Sequence, residues 1–184
     1  MEQLIDRIDP IKLVIFDVDG TLTDGTIIYA LVGSDFKMFN VHDGFGIKLL
    51  QQAGYKIAVL SSRRSVTVEK RLKELNVHDN FMGLPNKLKA YEQLKERYNL
   101  KDEEIAYVGD DIPDLVVMKR VGFAVAVQNA VDRIKQIAHY ITKKPGGHGA
   151  VREVVELILK AKGVYDQLID EKIKEWEKLD DDNV

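Results

Sequence analysis

Five aspartates fall in two short loops, Asp17-Val18-Asp19-Gly20 and Gly109-Asp110-Asp111-Ile112-Pro113-Asp114, each directly behind an apolar run. In the first loop, two carboxylates one residue apart leave a strand end on opposite sides, and Gly20 lets the backbone turn sharply after them. That spacing suits one carboxylate for nucleophilic attack and the other for proton transfer. A simpler reading of an isolated Asp-x-Asp is that both side chains bond to their own loop backbone. The second loop changes the balance. Several carboxylates brought to one place repel each other unless a cation lies among them, and an all-oxygen ligand set favours Mg²⁺. Helix capping accounts for one of Asp110, Asp111 and Asp114, with Pro113 early in the helix, but not for three. Two further positions fit the same chemistry. Ser61 ends an apolar run and offers a hydroxyl to a phosphoryl oxygen, although alone it reads as an ordinary N-cap serine. Lys87 lies at a helix start, against the sense of the helix dipole, where its charge can hold a nucleophile and a phosphoryl group together.

These residues need a scaffold that brings strand ends together. The apolar runs Leu13–Phe16, Lys56–Leu60, Ile105–Val108, Phe123–Val127 and Tyr140–Thr142 predict strands. Helices are predicted over Gly46–Ala53, Val66–Leu75, Lys87–Tyr98, Pro113–Val121, Ala130–Ile137 and Ala150–Ala161. Uniformly apolar strands alternating with helices predict an α/β fold, a Rossmann-like parallel sheet with helices on both faces. In such sheets ligands gather outside the carboxyl ends of the strands. One segment breaks the rhythm. Thr26–Tyr29 and Phe36–Val41 flank Gly33-Ser34-Asp35 and read as a β-hairpin flap after the first strand. The chain is expected to form one domain over 1–163 and a charged helical tail over 164–184. Leu168, Ile169, Ile173, Trp176 and Leu179 lie in one stripe of that tail, which is expected to pack on the core or on another subunit.

The bulk composition narrows the classes. The 184 residues include 27 basic and 30 acidic side chains, a formal charge of −3, and no cysteine, so disulfide and thiolate chemistry are excluded. No basic block marks a nucleic-acid surface, and no run approaches the ~20 apolar residues of a membrane span. The charges in MEQLIDRIDP do not suit a secretory signal, so a cytoplasmic protein is expected. None of the four histidines has the spacing of a zinc protease.

With the aspartate loop at Asp17, then Ser61, Lys87 and the Gly109–Asp114 loop in that order, the sequence resembles the haloacid dehalogenase superfamily of phosphotransferases over nearly its whole length. The resemblance implies that Asp17 is the nucleophile and Asp19 the general acid, then base. It also implies that Asp17, the main-chain carbonyl of Asp19 and Asp110 bind Mg²⁺, with Asp111 or Asp114 supporting its waters, and that Ser61 and Lys87 hold the phosphoryl group. An acid at Asp19 is the phosphatase pattern rather than the dehalogenase one. The hairpin and the tail Gly146-Gly147-His148-Gly149 look like the capless subgroup, and within it like the 3-deoxy-D-manno-octulosonate 8-phosphate (KDO 8-phosphate) phosphatases of lipopolysaccharide precursor synthesis. That family implies a homotetramer in which hairpins associate and a neighbouring subunit helps close the site. A sister group acting on a nonulosonate 9-phosphate carries glutamate where this chain has Arg63, and an arginine fork favours a substrate carboxylate. Two departures stand out: Ser62 replaces a glycine of the second motif, and His148 replaces an arginine of the tail. His148 is either a pH-dependent substrate contact or an exposed loop histidine. His42, Asp43 and Gly44 follow the hairpin and either line the sugar pocket or form a turn ahead of a helix. Without a substantial cap, water reaches the phosphoenzyme, which favours hydrolysis over phosphotransfer; the intact acidic set argues against a non-catalytic assembly subunit.

Overall fold

Six segments pair into one parallel sheet in the computed structural model, which describes residues 2–29 and 35–181. They are β1 (Leu13–Phe16), β2 (Lys56–Leu60), β3 (Asp79–Phe81), β4 (Ile105–Gly109), β5 (Phe123–Ala126) and β6 (Tyr140–Ile141). Their order across the sheet is β3-β2-β1-β4-β5-β6, so the chain runs outward from β1 to one edge, then crosses to β4 and fills the other. The switch of direction falls between β1 and β4, where an open α/β sheet leaves a crevice.

The helices are α1 (Glu2–Ile8), α2 (Val41–Gln52), α3 (Val66–Glu74), α4 (Leu88–Tyr98), α5 (Leu115–Met118), α6 (Asp132–Lys135), α7 (Ala150–Ala161) and α8 (Tyr165–Asp181). Right-handed crossovers put α2 and α3 on one face and α4, α5 and α6 on the other. The proximity of the elements agrees: α7 lies along α2 and next to α1 and α8, whereas α4 meets α5. With both faces covered, all four residues of β1 are fully buried. Each such apolar side chain contributes roughly 1.5–3 kcal/mol.

Register then aligns the strand ends. Phe16 pairs with Val59 on one side and Val108 on the other, so Asp17, Ser61 and Asp110 emerge at one edge. The five strands read from the apolar runs are present. β3 is an addition: Asp-Asn-Phe has little intrinsic strand preference, and its pairing is supplied by the free edge of β2. The helix expected from Gly46 starts five residues earlier, because the Asn40 side chain accepts from the His42 and Asp43 amides and caps it. The helix expected over Pro113–Val121 is a 3₁₀ turn (Ile112–Asp114) followed by the single turn α5, and α6 is likewise shortened.

Of the expected hairpin, the described parts of the two arms meet at an antiparallel bridge, Ile28 with Phe36, and Val41 already belongs to α2. The turn at Gly33-Ser34 lies outside the described residues. In the tail, Leu168 is buried, Ile169 packs against the core, and Trp176 stacks near Phe45 of α2 with ring centres 6.0 Å apart. The Leu179 side chain lies outside the described set. Among the described residues, no helix is long and apolar enough to cross a membrane.

Candidate active site

Asp17 stands one residue beyond β1, its amide donating to the Val108 carbonyl of β4 at 3.0 Å. That bond fixes the nucleophile candidate to the sheet rather than to a mobile loop. Gly20 follows with φ +93°, a left-handed turn that also admits the second acidic loop: a Cβ there would sit 2.1 Å from Asp110 Oδ2. The glycine tail braces the same turn from behind. Gly147 N donates to Thr21 O at 3.0 Å, and a Cβ on Gly146 would lie 1.7 Å from the Gly20 carbonyl.

Lys87, positioned just ahead of α4, is the buried centre of the site. Its Nζ donates to Asp17 Oδ1, to Asp114 Oδ1 at 2.6 Å and to the Tyr107 hydroxyl at 3.1 Å. Tyr107 in turn donates to Asp114 Oδ1 at 2.6 Å. The other Asp114 oxygen accepts from the Asp110 and Asp111 amides at 3.0 and 3.2 Å. Asp114 is therefore fully engaged in shaping the loop and orienting Lys87. Burial lowers the Lys87 ammonium's pKa, but the charges of Asp17 and Asp114 outweigh it and hold the group above its ordinary value. Asp17 shows the opposite balance. Burial and the charge of Asp114 push its carboxyl well above the usual range, with Lys87 only partly offsetting them. Burial and Asp114 likewise push Asp110 up to about 7.

Asp17, Asp19, Ser61, Ser62, Arg63, Lys87, Asp111, Pro113 and Asp114 line one cavity of about 140 Å³. Ser61 Oγ accepts from the Arg63 amide at 3.2 Å, which leaves its O–H to be given into the cavity. Arg63 Nε stands 3.8 Å from Asp19 Oδ2, beyond hydrogen-bond reach, and is buried with no hydrogen-bond partner among the described residues. Asp111 is exposed and caps the 3₁₀ turn through the Ile112 amide at 2.7 Å.

Two expected substrate contacts are not brought to this cavity. Gly44 is buried within α2, where its missing side chain makes room for Arg71 of α3. His148 is exposed and outside the cavity lining. Asp43 is buried and accepts from the Gly149 and Arg152 amides at 3.2 and 2.7 Å, which ties the glycine tail and α7 to α2. His42 is exposed at the start of α2. Two residues at the site carried no sequence signal of their own. Tyr107 reads as core inside an apolar strand, and Lys37, which contacts Asp19, reads as a solvated hairpin lysine.

The residues fit a hard divalent cation. Asp17, Asp110 and Asp114 bring carboxylate oxygens within 4.8 Å of one another, and the upward shifts of Asp17 and Asp110 show how costly this crowding is for the protein alone. Since the oxygens of Asp114 are already engaged, Asp17 and Asp110 are the side chains left to hold Mg²⁺. A pH signature follows. Between the ordinary carboxyl value of 3.8 and about 7, Asp110 holds its proton more in the folded metal-free protein than in the unfolded chain. Its contribution to stability therefore falls as pH rises through that window. Excess Mg²⁺ removes the crowding cost, so it should raise Tm more above the window than in its lower half. Thermal melts with Mg²⁺ and with chelator check this, and an equal Mg²⁺ shift at both ends contradicts it.

Comparison with known proteins adds three findings. A family model for haloacid dehalogenase-like hydrolases matches residues 85–154. The chain is 40% identical over 164 residues to the 3-deoxy-D-manno-octulosonate 8-phosphate phosphatase KdsC of Escherichia coli (strain K12), covering 89% of this chain and 87% of that one. Its structure resembles that of 3-deoxy-D-manno-octulosonate 8-phosphate phosphatase from Moraxella catarrhalis in complex with magnesium ion, phosphate ion and KDO. There the TM-score is 0.90 at 40% identity, over 93% of this chain and 98% of the other. The Yersinia pestis phosphatase of the same name gives a TM-score of 0.86 at 40% identity, over 88% of each chain.

Proposed function

The chain belongs to the haloacid dehalogenase-like hydrolases, in the family of the 3-deoxy-D-manno-octulosonate 8-phosphate phosphatases, and on that premise we propose that it hydrolyses this sugar phosphate through an aspartyl-phosphate on Asp17. The observation that carries the residue roles is the buried Lys87 ammonium bonded to Asp17 in a cavity that also holds Asp19 and Ser61.

In the first half of the reaction, a carboxylate oxygen of Asp17 attacks phosphorus while Asp19 gives its proton to the departing sugar oxygen. Lys87 holds Asp17 in place and, with the Ser61 hydroxyl, meets the charge that develops on the phosphoryl oxygens. In the second half, Asp19 takes a proton from the water that attacks the phosphoryl group, and Asp17 is released. Asp17, Asp110 and the main-chain carbonyl of Asp19 would hold Mg²⁺, which supplies charge neutralisation to the phosphoryl group when bound. Asp114, through Lys87 and the Asp110 and Asp111 amides, keeps that geometry. Asp111 is left to order water at the rim.

Arg63 is the residue assigned to the substrate carboxylate: it lines the cavity, and its buried Nε has no hydrogen-bond partner among the described residues. The flap is assigned to association as a homotetramer, supported by the exposed Ile28, Tyr29, Phe36 and Met38; light scattering checks the mass.

Phosphate release across a panel of sugar phosphates, with Mg²⁺ and with chelator, tests the activity. The expected preference is for the eight-carbon keto acid phosphate over neutral hexose phosphates, abolished by chelator. Arg63→Gln should weaken that preference by about 10–100-fold through KM, the worth of a hydrogen-bonded charge pair. Equal rates on neutral hexose phosphates would overturn the substrate assignment.

A further inference from the structure

Lys37 is oriented against the pattern of its own segment. It lies on the returning arm of the flap, where the neighbouring Phe36 and Met38 are each 62% exposed. In an extended segment alternate side chains face opposite ways, and here the apolar pair faces out while the lysine side chain is 0% exposed. Burying an ammonium is costly unless it is paired. Its partners explain the inversion: Nζ contacts Asp19 Oδ1 and stands 3.4 Å from Asp35 Oδ2.

Asp35 is itself fixed. Its carboxylate accepts from the Ser65 hydroxyl at 2.7 Å, and its carbonyl accepts from the Thr67 hydroxyl at 2.8 Å. Ser65 is the N-cap of α3, accepting from the Val68 amide. Burial pushes the Asp35 carboxyl up, but the Ser65 hydrogen bond and the Lys37 charge outweigh it and hold it below its ordinary value. The arm is thus pinned to the start of α3 and delivers one cation to the aspartate loop. Asp19 Oδ1 is taken by Lys37, whereas Oδ2 faces Arg63 at 3.8 Å, too far for a hydrogen bond.

We propose that Lys37 is a positioning residue that occupies Oδ1 of Asp19, so that Oδ2 is the atom that gives and takes the proton. This rests on the reading of Asp19 as the proton carrier. As the bond from Asp17 to phosphorus forms and the phosphorus–sugar oxygen bond breaks, the Oδ2 proton passes to the sugar oxygen. As water then attacks phosphorus and the Asp17 bond breaks, the water proton returns to Oδ2. The cycle restores the starting state with no further reactant. Without Lys37 the carboxyl is free to rotate, and its proton is no longer aimed at the leaving oxygen.

Leaving-group dependence tests this, because an alkoxide leaves poorly without a proton while p-nitrophenolate leaves readily without one. In the full chain with Mg²⁺, Lys37→Met should lower kcat on the sugar phosphate by about 10²-fold. It should lower kcat on p-nitrophenyl phosphate by no more than a few-fold. Asp19→Asn should show the same selectivity more strongly, and Lys37→Arg should recover part of the loss. Equal loss of Lys37→Met on both substrates, or no loss on either, overturns the inference while a selective Asp19→Asn leaves the proton-carrier reading intact. An unselective Asp19→Asn overturns that reading itself. Should Lys37→Met not fold, Lys37→Arg carries the comparison: a smaller but selective loss on the sugar phosphate supports the inference, and an unselective one overturns it.

Discussion

Asp17→Asn is expected to lower kcat by about 10⁵–10⁶-fold, the scale on which removal of a covalent nucleophile acts. The side chains are nearly equal in size, so the amide should fit where the carboxylate stood. What is lost is the anion that forms the bond to phosphorus. The same substitution should not lower the stability of the metal-free protein at neutral pH. Burial and the charge of Asp114 push the Asp17 carboxyl well above its ordinary value, so ionising it in the folded protein is unfavourable. A permanently neutral side chain removes that cost, which is present above the ordinary carboxyl range and absent below it. The stabilisation by Mg²⁺ should shrink, because one of its two carboxylate ligands is gone. Steady-state phosphate release and thermal melts with and without Mg²⁺ check both halves. A variant retaining a tenth of the activity would remove Asp17 from the chemistry.

Lys87→Met is expected to damage activity and stability together. The ammonium is 3% exposed and bonded to two carboxylates and a hydroxyl. Its charge is held above the ordinary value of 10.5, so it is constant through the neutral range and its contribution fades only in strong alkali. Methionine fills similar space but leaves Asp17 and Asp114 buried without their cation. Breaking a buried pair in this way costs about 3–5 kcal/mol. Loss of charge at the transferring phosphoryl group should further lower kcat by roughly 10²–10³-fold, as removal of one stabilising donor does. Chemical denaturation with chelator present isolates the stability effect, since Mg²⁺ would mask part of it. A variant as stable as the parent would show that the three-way contact contributes little.

The chemistry was legible because it sits at strand ends. Apolar runs located β1, β2 and β4, and a parallel sheet sends the residues after them to one edge, so Asp17, Ser61 and Asp110 converge without any knowledge of side-chain contacts. The sequence was least informative where a residue's task depends on a distant partner. β3 forms from three residues of weak preference because β2 offers an unpaired edge. Gly44 looked like part of a pocket-lining turn, yet Asn40 caps a helix through it and its size serves Arg71. His148 drew attention as a substituted tail residue, while the contact the tail makes with the aspartate loop runs through the Gly146 and Gly147 backbone, against Gly20 and Thr21. Lys37 and Tyr107 were invisible for the same reason in reverse. A lysine among alternating residues reads as solvated and a tyrosine in an apolar strand as core, but one is buried against Asp19 and the other donates to Asp114.

The central claim is covalent transfer to Asp17, and trapping the intermediate tests it most directly. The Mg²⁺-bound protein, mixed with sugar phosphate carrying radiolabelled phosphorus and quenched in acid within one turnover, should hold an acid-stable, base-labile label. Reduction with tritiated borohydride then expels the phosphate and leaves tritium on the residue that carried it; peptide mapping should place the tritium at position 17, and Asp17→Asn should carry neither label. A label on another residue, or full phosphate release with no labelled protein at any quench time, would contradict the account.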